Sequence, residues 1–444
     1  MTENRGRPRQ ESGIVRRMRN VHYIVVIVVL FLLGASLVAI PSIVRALPGR
    51  YASLLPEPLQ ELRHSDHPIT LPTPEATLAE VVLPPAATLT PPPSATPTAT
   101  PTDTPLDTVE PTATSEPTVT PTPTLPAQAQ LEGGRHERQG WNNCGPTTLA
   151  MALSFWGFGD TQNDVAPILK PDPEDKHVGI EQMAEYAEGR GLHAIIRSGG
   201  TEEGLKRLLA AGYPVIIESW YVRDARDQLG HYRLVVGYDD NTQLFDLYDS
   251  LYNPPTTMGY QELYELWRVF NWTYLIVAPS ERWDEALALV GPDIDDETMF
   301  EAGLARALAE AENSPPTCVA YAACDDWVTF SWYTAGTNLT ELERHDEASV
   351  AYDRARQLGL HYRMLWYQFG PYESYFAVGR YNDVIALADA TLATASNLEE
   401  SLYWRAKAHL GQGKTAEART DLQTALRYHP NWAPAVALLS ELGE

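Results

Sequence analysis

A low-complexity run divides this chain before any fold can be assigned. From about Pro68 to Pro126 proline and threonine dominate, as in "TLTPPPSATPTATPTDTPLDTVEPTATSEPTVTPTPTLP". Apolar residues there are too sparse to bury a core, so residues 68–127 read as a disordered, extended stalk with polyproline-like stiffness. About 60 residues at ~3.1 Å each reach on the order of 180 Å. The 444-residue chain must therefore fold in separate pieces on either side of this run.

The N-terminal piece is built around "VHYIVVIVVLFLLGASLVAIPSIV", residues 21–44. These 24 residues give a helix of ~36 Å at about 1.5 Å per residue, enough to cross a hydrocarbon layer of ~30 Å. Arg5, Arg7, Arg9, Arg16, Arg17 and Arg19 precede it. The positive-inside rule then predicts a cytoplasmic tail (1–20), a transmembrane signal-anchor (21–44), a juxtamembrane segment (45–67) and everything beyond on the outside. A cleaved signal peptide is the alternative; its apolar region is usually about 7–15 residues, shorter than this one. Either way the rest of the chain faces an oxidising compartment. The net charge of −25 repels phosphate backbones, which argues against a nucleic-acid partner.

Globular composition resumes near Leu131 and runs to 279. "RQGWNNCGPTTLAMAL" places one of only three cysteines, Cys144, just ahead of an amphipathic run with Leu149, Ala152, Leu153 and Trp156 on one face. Pro146 suits a first helical turn, so Cys144 sits at a helix N-terminus, where backbone dipoles favour a thiolate. Gln139, five residues upstream, is placed to offer an amide N–H to an oxyanion. A thiol nucleophile needs a base. Of His136, His177, His193 and His231, the last opens "HYRLVVGYDDNTQLFDLYDS", which reads as a hairpin turning at residues 239–242. With the turn centred near 240, opposed residues sum to about 480. That count sets Asp249 beside His231, where it orients the imidazole, and faces Asp246 to Leu234. His136 and His193 read as surface or packing residues. No Cys/His/Asp cluster has metal-ligand spacing, so neither metal nor other cofactor is expected.

"QGWNNCGPTT", "GHYRLVVGYD" and "LYDS", in that order, resemble the C39-like branch of the papain-like cysteine peptidases over roughly residues 135–279. The resemblance implies an α+β papain-like fold, a cysteine-bearing helix on an antiparallel sheet that carries the histidine. It implies Cys144 as nucleophile, His231 as base, Asp249 as orienting acid and Gln139 as oxyanion donor. The family pattern continues the aspartate with proline; here Ser250 follows. "YPVIIESWYV" and "GLHAIIRS" read as further strands, "TYLIVAPS" as the strand that closes the sheet, and "EEGLKRLLAAG" as a helix ending at Gly212.

From 281 to 444 the pattern is all-α. Gly379, Val384 and Thr391 recur as Gly413, Ala418 and Ala425, each 34 residues on. That is the tetratricopeptide period. An earlier unit carries Ala348 and Ala355, offset by about 36. About three repeats are expected from near 329, with 282–313 as a degenerate fourth or a cap. Such arrays bind peptides or protein segments in a groove; packing against the peptidase domain is the other role open to them. Cys318 and Cys324 are expected to form a disulfide, leaving Cys144 as the free thiol. "AHLGQGKT", residues 408–415, mimics a phosphate-binding loop but lacks the preceding strand, so no nucleotide is expected.

The expected protein is a single-pass membrane protein with outward peptidase and repeat domains, of a bacterial cell surface by architecture. It cleaves a peptide or protein substrate and holds a protein partner in the repeat groove. The alternative is an inactive peptidase-fold binding module or repeat adaptor.

Overall fold

In the computed structural model, residues 70–75 and 125–443 are described, apart from 225–226, 314–316 and 321, with a few isolated positions between 40 and 59. The transmembrane span expected at 21–44 lies almost wholly outside them. Among the described residues no helix is long and apolar enough to cross a membrane. Residues 70–444 form one compact unit, separate from residues 1–69.

A seven-stranded sheet organises the first half of that unit. Its strands are β1 (Gln128–Gln130), β2 (His193–Arg197), β3 (Val215–Asp224), β4 (Asp227–Asp239), β5 (Leu244–Tyr248), β6 (Thr256–Gly259) and β7 (Tyr274–Ala278). The order is β2-β7-β3-β4-β5-β6, with β1 also on β4, and every pairing is antiparallel. The strand "TYLIVAPS", expected to close the sheet, instead lies inside it between β2 and β3. Its five residues are all buried, as a two-sided interior strand requires. β1 extends the domain upstream of the start read at 131, through Gln130 against Gly237. A side chain at 237 would collide with Ala129 O and Gln130, so glycine permits that approach.

Four helices pack around the sheet: α1 (Cys144–Ser154), α2 (Gln162–Leu169), α3 (Ile180–Gly189) and α4 (Glu202–Ala210). Every residue of α1 from Gly145 to Leu153 is buried, so this helix is a core element rather than a surface one. Thr148 Oγ1 donates to Tyr232 O at 3.3 Å and ties α1 to β4. α5 (Tyr260–Trp267) leads back to β7.

The segment expected as a fourth repeat or cap is divided. α6 (Ser280–Val290) packs on α4 and β7, while α7 (Asp296–Glu312) packs on the first repeat helix. Three helical hairpins follow: α8 (Trp327–Glu341) with α9 (His345–Gln357), α10 (Gly370–Ala377) with α11 (Tyr381–Leu392), and α12 (Glu399–Gly411) with α13 (Thr415–Tyr428), and α14 (Ala433–Glu441) ends the array. The second helices begin at 345, 381 and 415, which reproduces the offsets of 36 and 34. Gly379 and Gly413 take left-handed φ of 76° and 75° in the hairpin turns. The phosphate-loop mimic at 408–415 is the α12–α13 turn.

The two halves share a core. Trp220, Val269 and Phe270 of the sheet domain pack with Phe330, Tyr333 and Leu339 of the helical region. Buried Arg268 pairs with Glu310 at 2.8 Å, and Asn271 and Asn338 exchange amide hydrogen bonds of 3.0 Å. Residues 70–75, within the expected stalk, are held on the repeats. Thr70 bridges to His361, Pro72 O accepts from Arg356 Nη2 at 2.6 Å, and Asn382 Nδ2 donates to the Glu75 carboxylate at 3.1 Å. At the other end of the run, Pro126 O accepts from Tyr238 and Ala127 O from the N–H of Asp240. Both ends of the proline- and threonine-rich run are thus fixed to the same folded unit. The rest of the expected stalk, 76–124, lies outside the described residues.

Candidate active site

The loop that delivers Cys144 is pinned before the helix starts. Asn142 takes a left-handed φ of 51°, and its amide donates to Asp175 O at 2.9 Å. Gln162 Oε1 accepts from the N–H of Gly140 at 2.6 Å and from Asn143 Nδ2 at 3.0 Å. The Asn143 side chain is thereby drawn away from capping, and α1 begins at Cys144 with no side-chain cap. The thiol is half-buried, at the end of a helix whose dipoles favour its anion.

His231 lies on β4 and is 1% exposed. Its Nε2 is 2.8 Å from Asp249 Oδ1, and its side chain hydrogen-bonds Cys144. With Nε2 engaged by the carboxylate, Nδ1 is the nitrogen left for the thiol. Asp249 Oδ2 accepts from buried Arg233 Nε at 3.0 Å, and the N–H of Leu251 donates to Oδ1 at 3.0 Å. Arg233 in turn donates to Ser219 Oγ.

The expected hairpin register needs correcting. Leu234 pairs with Tyr248 and Val235 with Leu247, a sum of 482, and a bulge between Val235 and Gly237 raises it to 483. Asp246 therefore faces Gly237, not Leu234. Asp249 lies one residue beyond β5, opposite Arg233 rather than His231. It bonds both because residues 231 and 233 share one face of the strand.

Gln139 is tied in by the residue that replaces the family's proline. Ser250, fully buried, donates its hydroxyl to Gln139 Oε1 at 2.7 Å, and its carbonyl accepts from the N–H of Gln139 at 2.8 Å. Oε1 is thus occupied, and Nε2 is the end of the amide turned to donation. The serine does not disturb Asp249; it anchors Gln139 instead.

Burial alone would push the Cys144 thiol up. The hydrogen bond and charge of His231, with backbone contacts at Tyr232 and Gly145, outweigh it and hold the thiol below its ordinary value. Burial would likewise lower His231, but the Asp249 carboxylate and the thiol raise it above 6.5. Asp249 is itself buried, yet His231 and Arg233 hold it well below the usual carboxylate range. Shifts of these signs favour a thiolate–imidazolium pair over two neutral groups.

A small cavity of about 10 Å³, room for roughly one water, opens beside the thiol, lined by residues including Cys144, His177, Glu218, Gly230, Tyr232 and Tyr367. Tyr367 comes from the helical region. Its ring lies 6.1 Å from that of His177, and Phe369 meets His177 edge-on at 5.3 Å. Burial pushes His177 down to about 4, so it is neutral. His136 contacts the site only through Asp249 O at 3.1 Å, and His193 stacks on Trp283. Cys318 and Cys324 are disulfide-bonded, which leaves Cys144 as the free cysteine.

Sequence reasoning passed over Arg233, Glu218 and Tyr367. Arg233 had a signal, a cation two residues from His231 in an apolar strand. Glu218 had a weaker one, a carboxylate inside "PVIIESW". Tyr367, more than a hundred residues from β4, had none.

Residues 123–274 match the model of the Peptidase C39-like family, and residues 399–432 match that of the tetratricopeptide repeat. None of the curated proteins matches the chain. The sheet domain that gathers Cys144, His231 and Asp249 is thus a Peptidase C39-like domain, followed by a helical region that carries a tetratricopeptide repeat.

Proposed function

We propose that this protein is a cysteine peptidase, anchored by the helix at 21–44 with its folded domains outside the cell, whose helical repeats bind protein or peptide. One observation carries the reading: a free thiol at a helix N-terminus, hydrogen-bonded to a histidine whose other nitrogen is held by a buried carboxylate. The Cys144 thiolate attacks a peptide carbonyl. Gln139 Nε2 and the N–H of Cys144 donate to the oxyanion. The His231 imidazolium gives its proton to the leaving amine, and an acyl-enzyme remains. Water, deprotonated by His231, then attacks the thioester and releases the acid. Asp249 fixes the ring and offsets its charge through both half-reactions.

The test is alkylation of Cys144 by iodoacetamide across pH, together with peptide hydrolysis. The thiolate pair predicts reaction persisting below the pH at which a free cysteine slows. His231→Ala is expected to lower hydrolysis about 10²–10⁴-fold and to return alkylation to the profile of a free cysteine. Alkylation no faster than that of free cysteine, and indifferent to His231→Ala, would sink the reading.

A further inference from the structure

The cavity beside Cys144 holds a carboxyl that the mechanism above does not use. Glu218, on β3 opposite Tyr232, is 7% exposed. Its backbone N–H donates to Thr273 O, but among the described residues its carboxyl has no hydrogen-bond partner and no ion pair. Burial pushes it well above the ordinary value, and the charges acting on it, Glu181 and Cys144, are both negative. Lys176 also lines the cavity, its ammonium 5.7 Å from the centre of the Trp366 ring.

The acidic character extends outward from there. Burial raises Glu181, and Glu185 adds to it. Glu341, at the end of α8, is pushed up to about 7 by burial with Glu373 and Glu181 beside it. Buried carboxyls are ordinarily paired, because an unpartnered one forfeits its hydration. Here the unpartnered one lines the same cavity as the thiol.

We propose that Glu218 is a specificity-determining residue of the site, receiving an ammonium group of the substrate in the place of about one water: a lysine or a free amine beside the scissile bond. This rests on the peptidase reading for the word substrate, but not for the charge preference. An ammonium arriving in the cavity supplies a counter-charge to the Glu218 carboxylate. The charge of Glu181, which acts on Glu218, favours the same cation. A neutral residue leaves Glu218 unpartnered, and an acidic one brings its charge against the Cys144 thiolate and Glu181.

Two thiol reagents of opposite charge test the pocket independently of peptide hydrolysis. The full chain in detergent is treated with aminoethyl or sulfonatoethyl methanethiosulfonate, and loss of the Cys144 thiol is followed by mass spectrometry. The cationic-to-anionic rate ratio, divided by that of free cysteine, is expected to exceed about 10 and to fall about 10- to 150-fold in Glu218→Gln. Glu181→Gln is expected to lower it less, because Glu181 only steers. A wild-type ratio equal to that of free cysteine overturns the proposal without any variant. So does a ratio that Glu218→Gln leaves unchanged in protein with an unaltered circular dichroism spectrum. In parallel, kcat/KM for peptides with lysine, alanine or glutamate before the scissile bond is expected to rank in that order, with Glu218→Gln affecting the lysine peptide alone. Failure of all hydrolysis with the reagent preference intact would refute the peptidase reading and leave the cation site standing.

Discussion

Asp249 and Glu218 are both buried carboxyls in one domain, and their proton affinities are shifted in opposite directions. The strand pair β3–β4 explains the difference, because its two faces handle charge differently. Ser219 pairs with His231, and residues 219, 231 and 233 point to one side. There every charged group has a partner: His231 and Arg233 both bond Asp249, and Arg233 also donates to Ser219. Glu218 pairs with Tyr232 on the other side. Tyr232 donates to Val178 O at 3.0 Å, but among the described residues the Glu218 carboxyl forms no ion pair. Burial is similar on both faces, at 1% exposure for Asp249 and 7% for Glu218. The partners, not the burial, decide in which direction each carboxyl is shifted. The saturated face suits fixed machinery, and the unsaturated one is left for something that arrives.

Asp249→Ala should break the saturated face most severely. It strands the Arg233 guanidinium, 2% exposed, with no carboxylate, and a broken buried pair costs about 3–5 kcal/mol. Urea unfolding at pH 7 reads it. The sign with pH follows from the shift. Asp249 is depressed in the folded state, so its contribution is present above the ordinary carboxyl value and lost as pH falls. Wild type and variant should therefore converge in acid. Asp249→Asn, nearly the same shape, should keep more stability and still lose activity, which separates orientation of His231 from folding.

The saturated face was only partly legible in the sequence. Cys144 and His231 stood out because each sits at a boundary with local punctuation: Gly-Pro before a helix, and a histidine leading an apolar strand. The period of 34 was equally local, fixed by small residues in paired helices. The Asp249 partnership was reached by a register that is off by two. The bulge at Val235–Gly237 left no mark that counting could use, and the aspartate still reaches His231 because its carboxylate spans residues 231 and 233. What stayed hidden was non-local. The insertion of β7 between β2 and β3 and the arrival of Tyr367 at the cavity are both set by packing between distant segments. The docking of residues 70–75 on the repeats is of the same kind: composition describes that run as extended, and nothing in it says where it is held.

Glu218→Met should move stability the other way. Removing an unpartnered buried carboxyl is expected to stabilise the fold by about 1–3 kcal/mol at neutral pH, since no partner is left stranded. Glu218 is raised in the folded state. Its stability contribution is therefore full below the ordinary carboxyl value and is lost as pH rises through the folded one. The gain from Glu218→Met should accordingly vanish in acid and grow toward neutral pH. The two variants would then diverge in opposite directions as pH rises from about 4. Parallel melting curves for Asp249→Ala and Glu218→Met would mean that the two faces do not differ in the way described.

Tyr232→Phe gives the smallest effect and the sharpest control. Tyr232 shares the Glu218 face and is just as buried, but its hydroxyl is satisfied by Val178 O. Its loss should cost about 1 kcal/mol. The Tyr232 hydroxyl is raised well above 10 by burial and by Glu218, Glu181 and Cys144, so it is neutral at any pH where the protein is handled. The cost should therefore be flat from pH 4 to pH 8, unlike that of either carboxyl. A sloping difference would mean that removing the hydroxyl changes the ionisation of Glu218. That would make the tyrosine part of the charge balance on the open face, where the geometry gives it only the task of holding the Val178 wall in place.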